Sequence, residues 1–339
     1  MYEEYIVQDS DKLHRIEEAL LVTYFKYYDQ EFLTTEAGKE DIKANAYRRY
    51  NSALKHVVPW VTKQIDLTGK TMVEIGSGTG SSTAAFAHFV KEIDGYDIDD
   101  QALAGARVRM EVMELDNVTL HLVAPDDLVG TLKKNHTNGA DIILLFAVLE
   151  HQTIQERHET IKLCWELLNS NGLLVVTETP NLLQYTDLHT SLLPFQHFLP
   201  TELYVRYANR SSRSRFDKYF TDTASRSPEK LETDIMRWGR GASFHDFELS
   251  LGKDHEKYLV ANGFEQEILT WLDVTFDEEL LRHYFLVKEL DVPLAFSRAV
   301  LNLIYKKSEM PPPAFRLRQS RSLLSINTSI ENKSLLSTV

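Results

Sequence analysis

The sequence predicts a doubly wound α/β domain, and three observations carry that prediction. An apolar run, Met72–Ile75, stops at a turn holding Gly76, Gly78 and Gly80, and the helix-like stretch Ser81–Val90 follows. Further strand-like runs at Ile93–Ile98, Val118–Val123, Gly139–Leu149 and Leu173–Thr179 alternate with helical stretches. The run from Gly139 to Leu149 is almost wholly apolar, as a central parallel strand buried on both faces must be. Five strands alternating with helices in this way build βαβ units.

Taken in order, residues 11–33 place Leu13, Ile16, Leu20, Leu21, Tyr24, Phe25 and Tyr28 at helical spacing. Residues 39–65 read as a second helical stretch, interrupted near Pro59. Such a pair makes either a packed helical arm or a lid that brings Tyr47 or Arg48 onto a ligand. At the glycine turn the backbone bends sharply and a ligand can approach the main chain closely. The free N–H groups of the following helix start add a positive field. Asp97 ends the second strand 19 residues after Gly78, close to the roughly 20-residue offset at which a carboxylate accepts from ribose hydroxyls. Asp99 is the better helix cap, because Gln101-Ala-Leu-Ala follows it.

After the third strand, Ala124-Pro-Asp-Asp-Leu128 supports two compatible readings. Asp126 or Asp127 accepts from an adenine amino group, or Pro125 opens an ordinary helix. Glu150 and His151 break out at the carboxyl end of the fourth strand, where open parallel sheets bind their ligands. A helix follows from about Ile154 to Leu168, then the fifth strand, which Pro180 stops.

Bulk composition bounds the function. A formal charge of −13 over 339 residues argues against non-specific binding to nucleic acid or an anionic membrane, both of which favour basic faces. One cysteine, Cys164, excludes an intramolecular disulfide and a cysteine-built zinc site. No secretory pattern and no apolar run of membrane-spanning length is present, so the expected location is the cytoplasm.

Val73-Glu-Ile-Gly-Ser-Gly-Thr-Gly80, Gly95-Tyr-Asp97, Val148-Leu-Glu-His151 and Leu167-Leu-Asn-Ser-Asn-Gly172 leading into Leu173-Leu-Val-Val together resemble the class I S-adenosylmethionine-dependent methyltransferases. Thr179-Pro-Asn181 narrows the resemblance to the branch holding the ubiquinone-biosynthesis O-methyltransferase-like enzymes. It covers residues 45–181 and resumes at 256–264. The resemblance implies S-adenosylmethionine as cofactor, with Glu74, Gly76, Gly78 and Gly80 cradling its methionine part. Asp97 would bind the ribose, Ile98 would pack on adenine, and Phe146 with Ala147 would back the cofactor. Glu150 and His151 would face the acceptor. It also implies a Rossmann-like seven-stranded sheet with an antiparallel last strand, for whose final pair Phe264–Trp271 and Tyr284–Lys288 are the candidates. His151 suits the role of general base for an oxygen acceptor.

The chain thus divides into an N-terminal helical arm or lid (1–65), a cofactor-binding core (66–181), an inserted cap (182–242), a C-terminal helix with closing strands (243–307) and a mobile tail (308–339). The insertion carries His189 and His197 among prolines and aromatics, then arginines at 206, 210, 213 and 215. It reads as an acceptor-binding cap whose Arg210 and Arg213 hold a phosphate or carboxylate, or as a structural insertion with a solvated basic face. His189, His197 and His245 with Glu178 are proper metal ligands, but no tight His-x-x-x-His spacing is present and no metal is expected. The expected function is O-methylation of a small molecule or sugar-containing metabolite such as a glycan precursor. A NAD-dependent oxidoreductase or epimerase is the alternative, although its glycine signature needs glycine where Ser81 stands. A catalytically silent cofactor-binding scaffold is the other.

Overall fold

The computed structural model describes residues 3–6, 10–221, 223 and 225–308. Among the described residues seven strands form one sheet: β1 (Thr71–Ile75), β2 (Glu92–Asp97), β3 (Val118–Leu122), β4 (Ala140–Phe146), β5 (Leu168–Pro180), β6 (Leu259–Ala261) and β7 (Val300–Lys306). Their order is β3-β2-β1-β4-β5-β7-β6. The first five strands pair in parallel, and β7 runs antiparallel to both β5 and β6. The order reverses between β1 and β4, and ligands bind beyond the carboxyl ends of strands at such a switch point.

Alternation along the strands divides the core. Met72, Ile142 and Leu144 face Leu54, Trp60 and Phe86 on one side. Val73, Ile143 and Leu145 face Ile161, Phe247 and Phe296 on the other. Period-two side chains buried on both faces account for the nearly unbroken apolar runs. On the first side the helix Ser10–Val22 packs over Asp100–Val112. A Cβ at Gly105 would meet Leu20 Cδ2 at 2.6 Å, so the glycine sets that close approach.

Two expectations need correction. The chain is helical without a break from Glu36 to Thr62, alternating α and π geometry. Pro59 lies inside this run, at the second residue of Val58–Thr62 and directly after the π-helical stretch Ala53–Val57, without ending the helix. The closing pair is β6 and β7, not the segments expected. Within 264–271 lies the short helix Gln266–Leu269, and residues 284–287 end the helix Phe276–Val287. Thr275 and Glu278 form a capping box at its start, and Leu281 and Phe285 are buried one turn apart, so helical period outweighed the β-branched and aromatic content.

Residues 182–242 add helices at Thr201–Tyr207, Ser214–Thr221 and Pro228–Gly239. They enclose a separate small core of Tyr204, Phe216, Phe220 and Ile235 against Trp238. Of the tail expected over 308–339, residues 309–339 lie outside the described residues. Among the described residues no helix is long and apolar enough to cross a membrane.

Candidate active site

A cavity of about 470 Å³ opens at the carboxyl ends of β1, β2 and β4. Its first end is built mainly from backbone. Gly76 adopts φ +77, and a Cβ there would lie 2.4 Å from Val148 Cγ2. The Gly76 and Ser77 N–H groups donate to the Tyr96 carbonyl at 2.7 and 3.1 Å, locking the turn onto β2. Gly78 lines the cavity at φ +50, where an added Cβ would meet no atom within 4 Å. Its N–H donates to Asp97 Oδ2 at 2.7 Å, and Asp99 N–H donates to Asp97 Oδ1 at 2.8 Å. Each carboxylate oxygen therefore keeps a lone pair. Burial raises the Asp97 carboxyl above its ordinary value. Ile98, Val123 and Leu128 continue this end as an apolar slot.

Arg109 braces the turn from behind. Fully buried, it donates from Nε to the Thr79 carbonyl at 2.8 Å, from Nη1 to Ala46 at 2.8 Å and from Nη2 to Asn45 at 2.5 Å. One guanidinium thereby joins the glycine turn to the helical arm. From that arm Tyr24 and Arg49 reach the cavity.

Side chains from distant segments make the opposite end. His151 follows β4, Glu178 lies near the end of β5, His189 comes from the insertion and Arg237 from the helix Pro228–Gly239. Glu178 reaches the cavity because β5 is irregular against β7 between Val176 and Thr179. It adopts φ +53 there, and Asn302 Oδ1 accepts from the Glu178 N–H at 3.3 Å and from Thr177 Oγ1 at 2.6 Å. A bulge that re-aims a side chain is characteristic of binding sites. Ala147, at φ +53, makes a second strained corner.

Burial governs the charges at this end. Glu150 is wholly buried and pushed up to about 8 by desolvation, and Glu178 is raised for the same reason. His151 is lowered by burial, while His189 is pushed down to about 4 by burial and then by His151. Arg237 is paired with Glu156, with Nη1–Oε2 at 2.7 Å and Nη2–Oε1 at 2.5 Å.

Of the residues singled out in the sequence, Gly76, Gly78, Asp97, Ile98, Phe146, His151 and His189 line the cavity. Others do not. Glu74 is buried between β1 and the helix Ser81–Ala87, accepting from Ser82 Oγ and from Thr83 Oγ1. Desolvation raises it to about 7. Gly80 serves packing, since a Cβ there would lie 2.7 Å from Met110 Cε. Asp126 and Asp127 are exposed in the short helix Pro125–Asp127, and Pro125 lines the cavity instead. Glu150 lies behind His151, with 3.8 Å between Oε1 and Nε2. His197 is buried beside Asp187 at 3.8 Å, and His245 bonds Ser243 Oγ at 3.1 Å, so neither joins Glu178. Arg210 is exposed, and Arg213 Nη1 donates to the Thr190 carbonyl at 3.4 Å, supporting the His189 loop from outside.

Arg48, weighed as a lid residue, pairs with Glu40 on the surface at 2.7 Å. Tyr47 packs against the core, and it is Arg49 that reaches inward. A signal for this existed: Arg49 lies beside the buried stripe Ala46, Tyr50 and Ala53, whereas Arg48 is rotated away from it. Glu178, weighed only as a metal ligand with His189, His197 and His245, shares the cavity with His189 alone of these histidines.

Residues 73–174 match the family model described as a methyltransferase domain. A ubiquinone biosynthesis O-methyltransferase of Glaesserella parasuis is 31% identical over 111 residues, covering 33% of this chain and 46% of the relative. A probable S-adenosylmethionine-dependent methyltransferase of Mycobacterium tuberculosis is 28% identical over 149 residues, covering 43% of this chain and 46% of the relative. The chain spans about half the length of the curated relatives it matches. Among solved structures, magnesium protoporphyrin IX methyltransferase of Synechocystis PCC 6803 aligns at 20% identity and TM-score 0.35, covering 51% of this chain and 79% of that one. Over residues 73–174 the chain is thus similar to a methyltransferase domain, and that stretch supplies β1 to β4 of the sheet.

Proposed function

We propose that this protein transfers a methyl group from S-adenosylmethionine to a hydroxyl oxygen of a small molecule, a sugar-containing metabolite being the favoured class. One observation carries the reading: a single cavity joins the glycine turn and Asp97 to a polar end bearing His151, Glu178 and His189. The residues fit the cofactor. The space beside Gly78 admits a close approach to the main chain, the free lone pairs of Asp97 suit ribose hydroxyls, and Ile98 with Leu128 suits a flat ring. When bound, the cofactor supplies a sulfonium methyl already activated for displacement.

The chain's own residues then align the acceptor and exclude water. With the cofactor held along Gly76–Gly78 and Asp97, the acceptor oxygen would take the methyl carbon from sulfur, which would keep the electron pair of the broken bond, and His151 would take the acceptor's proton. Its hydroxyl is handled at the His151–His189 end. Relatives named as O-methyltransferases favour oxygen as the acceptor atom. The test is calorimetric titration with S-adenosylhomocysteine and, in parallel, NAD. Micromolar binding of the first alone supports the reading and justifies screening hydroxylated acceptors with labelled donor. Binding of NAD alone would replace it with a dehydrogenase.

A further inference from the structure

We propose that Glu150, His151 and His189 bind one divalent transition-metal cation at the acceptor end of the cavity. This deepens the preceding reading and rests on it, because it assigns how the acceptor hydroxyl is held. The three side chains offer ligand atoms that all lie within 4.8 Å of one another.

Their hydrogen bonds leave the right atoms free. His151 Nδ1 lies 3.0 Å from the Arg237 carbonyl, so that nitrogen carries the proton and Nε2 keeps its lone pair. His189 Nδ1 lies 2.9 Å from Thr190 Oγ1, whose own hydrogen goes to the Gly239 carbonyl at 2.6 Å. Thr190 must therefore accept, and His189 Nε2 is free as well. Histidines that ligate metals hold their second ring N–H in this way.

Glu150 supplies the independent observation. It is 0% exposed, and among the described residues neither carboxylate oxygen has a hydrogen-bond partner. The neighbouring Arg157 donates instead to the carbonyls of Leu149, Arg240 and Gly241 and to Asp246. A buried, unpartnered carboxyl is costly, and a bound cation would offset that cost. The loop bearing His189 is already pinned, with Asp187 accepting from the N–H groups of His189, Thr190 and Ser191 at 3.0, 2.8 and 2.7 Å. Metal–ligand bonds of about 2.1 Å place ligand atoms roughly 3–4 Å apart, so binding draws this set together by about an ångström.

Two imidazoles and one carboxylate suit manganese, iron(II), cobalt or zinc better than calcium or magnesium, and leave coordination positions open. A hydroxyl bound there is acidified: its proton passes to water, and the oxygen keeps the electron pair that attacks the methyl carbon. His151 then acts as a ligand and not as a base.

The experiment strips the full-length protein with EDTA and titrates it with Co²⁺, followed by calorimetry and by the visible absorption of the bound ion, with Mg²⁺ as control. The expected result is one Co²⁺ per chain, with affinity at least tenfold weaker in both His189→Ala and Glu150→Gln. Two further substitutions, His189→Gln and Glu150→Leu, keep the question answerable if either of these variants fails to fold. No saturable Co²⁺ binding, or binding indifferent to the substitutions, overturns the site. Titration of the same metal-free protein with S-adenosylhomocysteine separates the two claims. Cofactor-product binding without Co²⁺ sinks the cation site alone, whereas Co²⁺ binding without it leaves the site standing and removes its role in methyl transfer.

Discussion

The two ends of the cavity are made of different material. At the cofactor end, main-chain groups of Gly76 to Gly78 and one carboxylate, Asp97, are supplied by a turn and the strand beside it. At the acceptor end, His151, Glu178, His189 and Arg237 come from four separate segments. Backbone geometry resists substitution unless a glycine is lost, whereas a constellation of side chains can be dismantled one residue at a time. The first end should therefore fail through sterics and the second through chemistry.

The largest effect expected is from Gly76→Val. Its side chain would overlap Val148 at a left-handed φ, costing about 3 kcal/mol or more. Thermal unfolding and S-adenosylhomocysteine titration should both report the loss, and a tolerated valine would break the contrast.

Acid sensitivity comes next and must be separated from any effect of pH on turnover. His255, buried against Phe247, Phe296 and Tyr305, is lowered by desolvation from 6.5 to about 4. Between those values the unfolded chain binds the extra proton, so this contribution is whole above pH 6.5 and drains as pH falls toward 4. The loss is about 3 kcal/mol. Denaturant unfolding across that range should show the slope, and His255→Gln should flatten it.

Asp97→Ala should weaken S-adenosylhomocysteine binding by about 1–3 kcal/mol through unpaired ribose hydroxyls and the orphaned Gly78 N–H. Unchanged affinity would remove Asp97 from the cofactor site. Glu178→Gln should do the converse, lowering kcat/KM at least tenfold while leaving the dissociation constant for S-adenosylhomocysteine unaltered; equal damage to both would mean that the ends are not separable. The smallest effect belongs to Arg210→Ala, expected within about 0.5 kcal/mol on stability and without influence on acceptor KM, because the side chain is exposed and outside the cavity.

By itself the sequence determined the local elements at the cofactor end. Met72–Ile75, the three glycines, Asp97 and the Asp99 cap interact across a short loop, so spacing and residue type suffice to specify them. The apolar run into β4 likewise announced a strand covered on both faces. Tertiary structure decided the rest. The closing strand could be recognised only once β5 offered β7 an antiparallel partner. Glu178 reaches the cavity through an irregularity stabilised by Asn302, 124 residues away in the chain. Glu150 and His151 meet His189 only after the insertion docks on the end of β4, where Arg240 N–H donates to the Glu150 carbonyl at 2.8 Å. Contacts of that kind leave no periodic trace in the sequence, because they are set by which strands become neighbours and not by which residues follow one another.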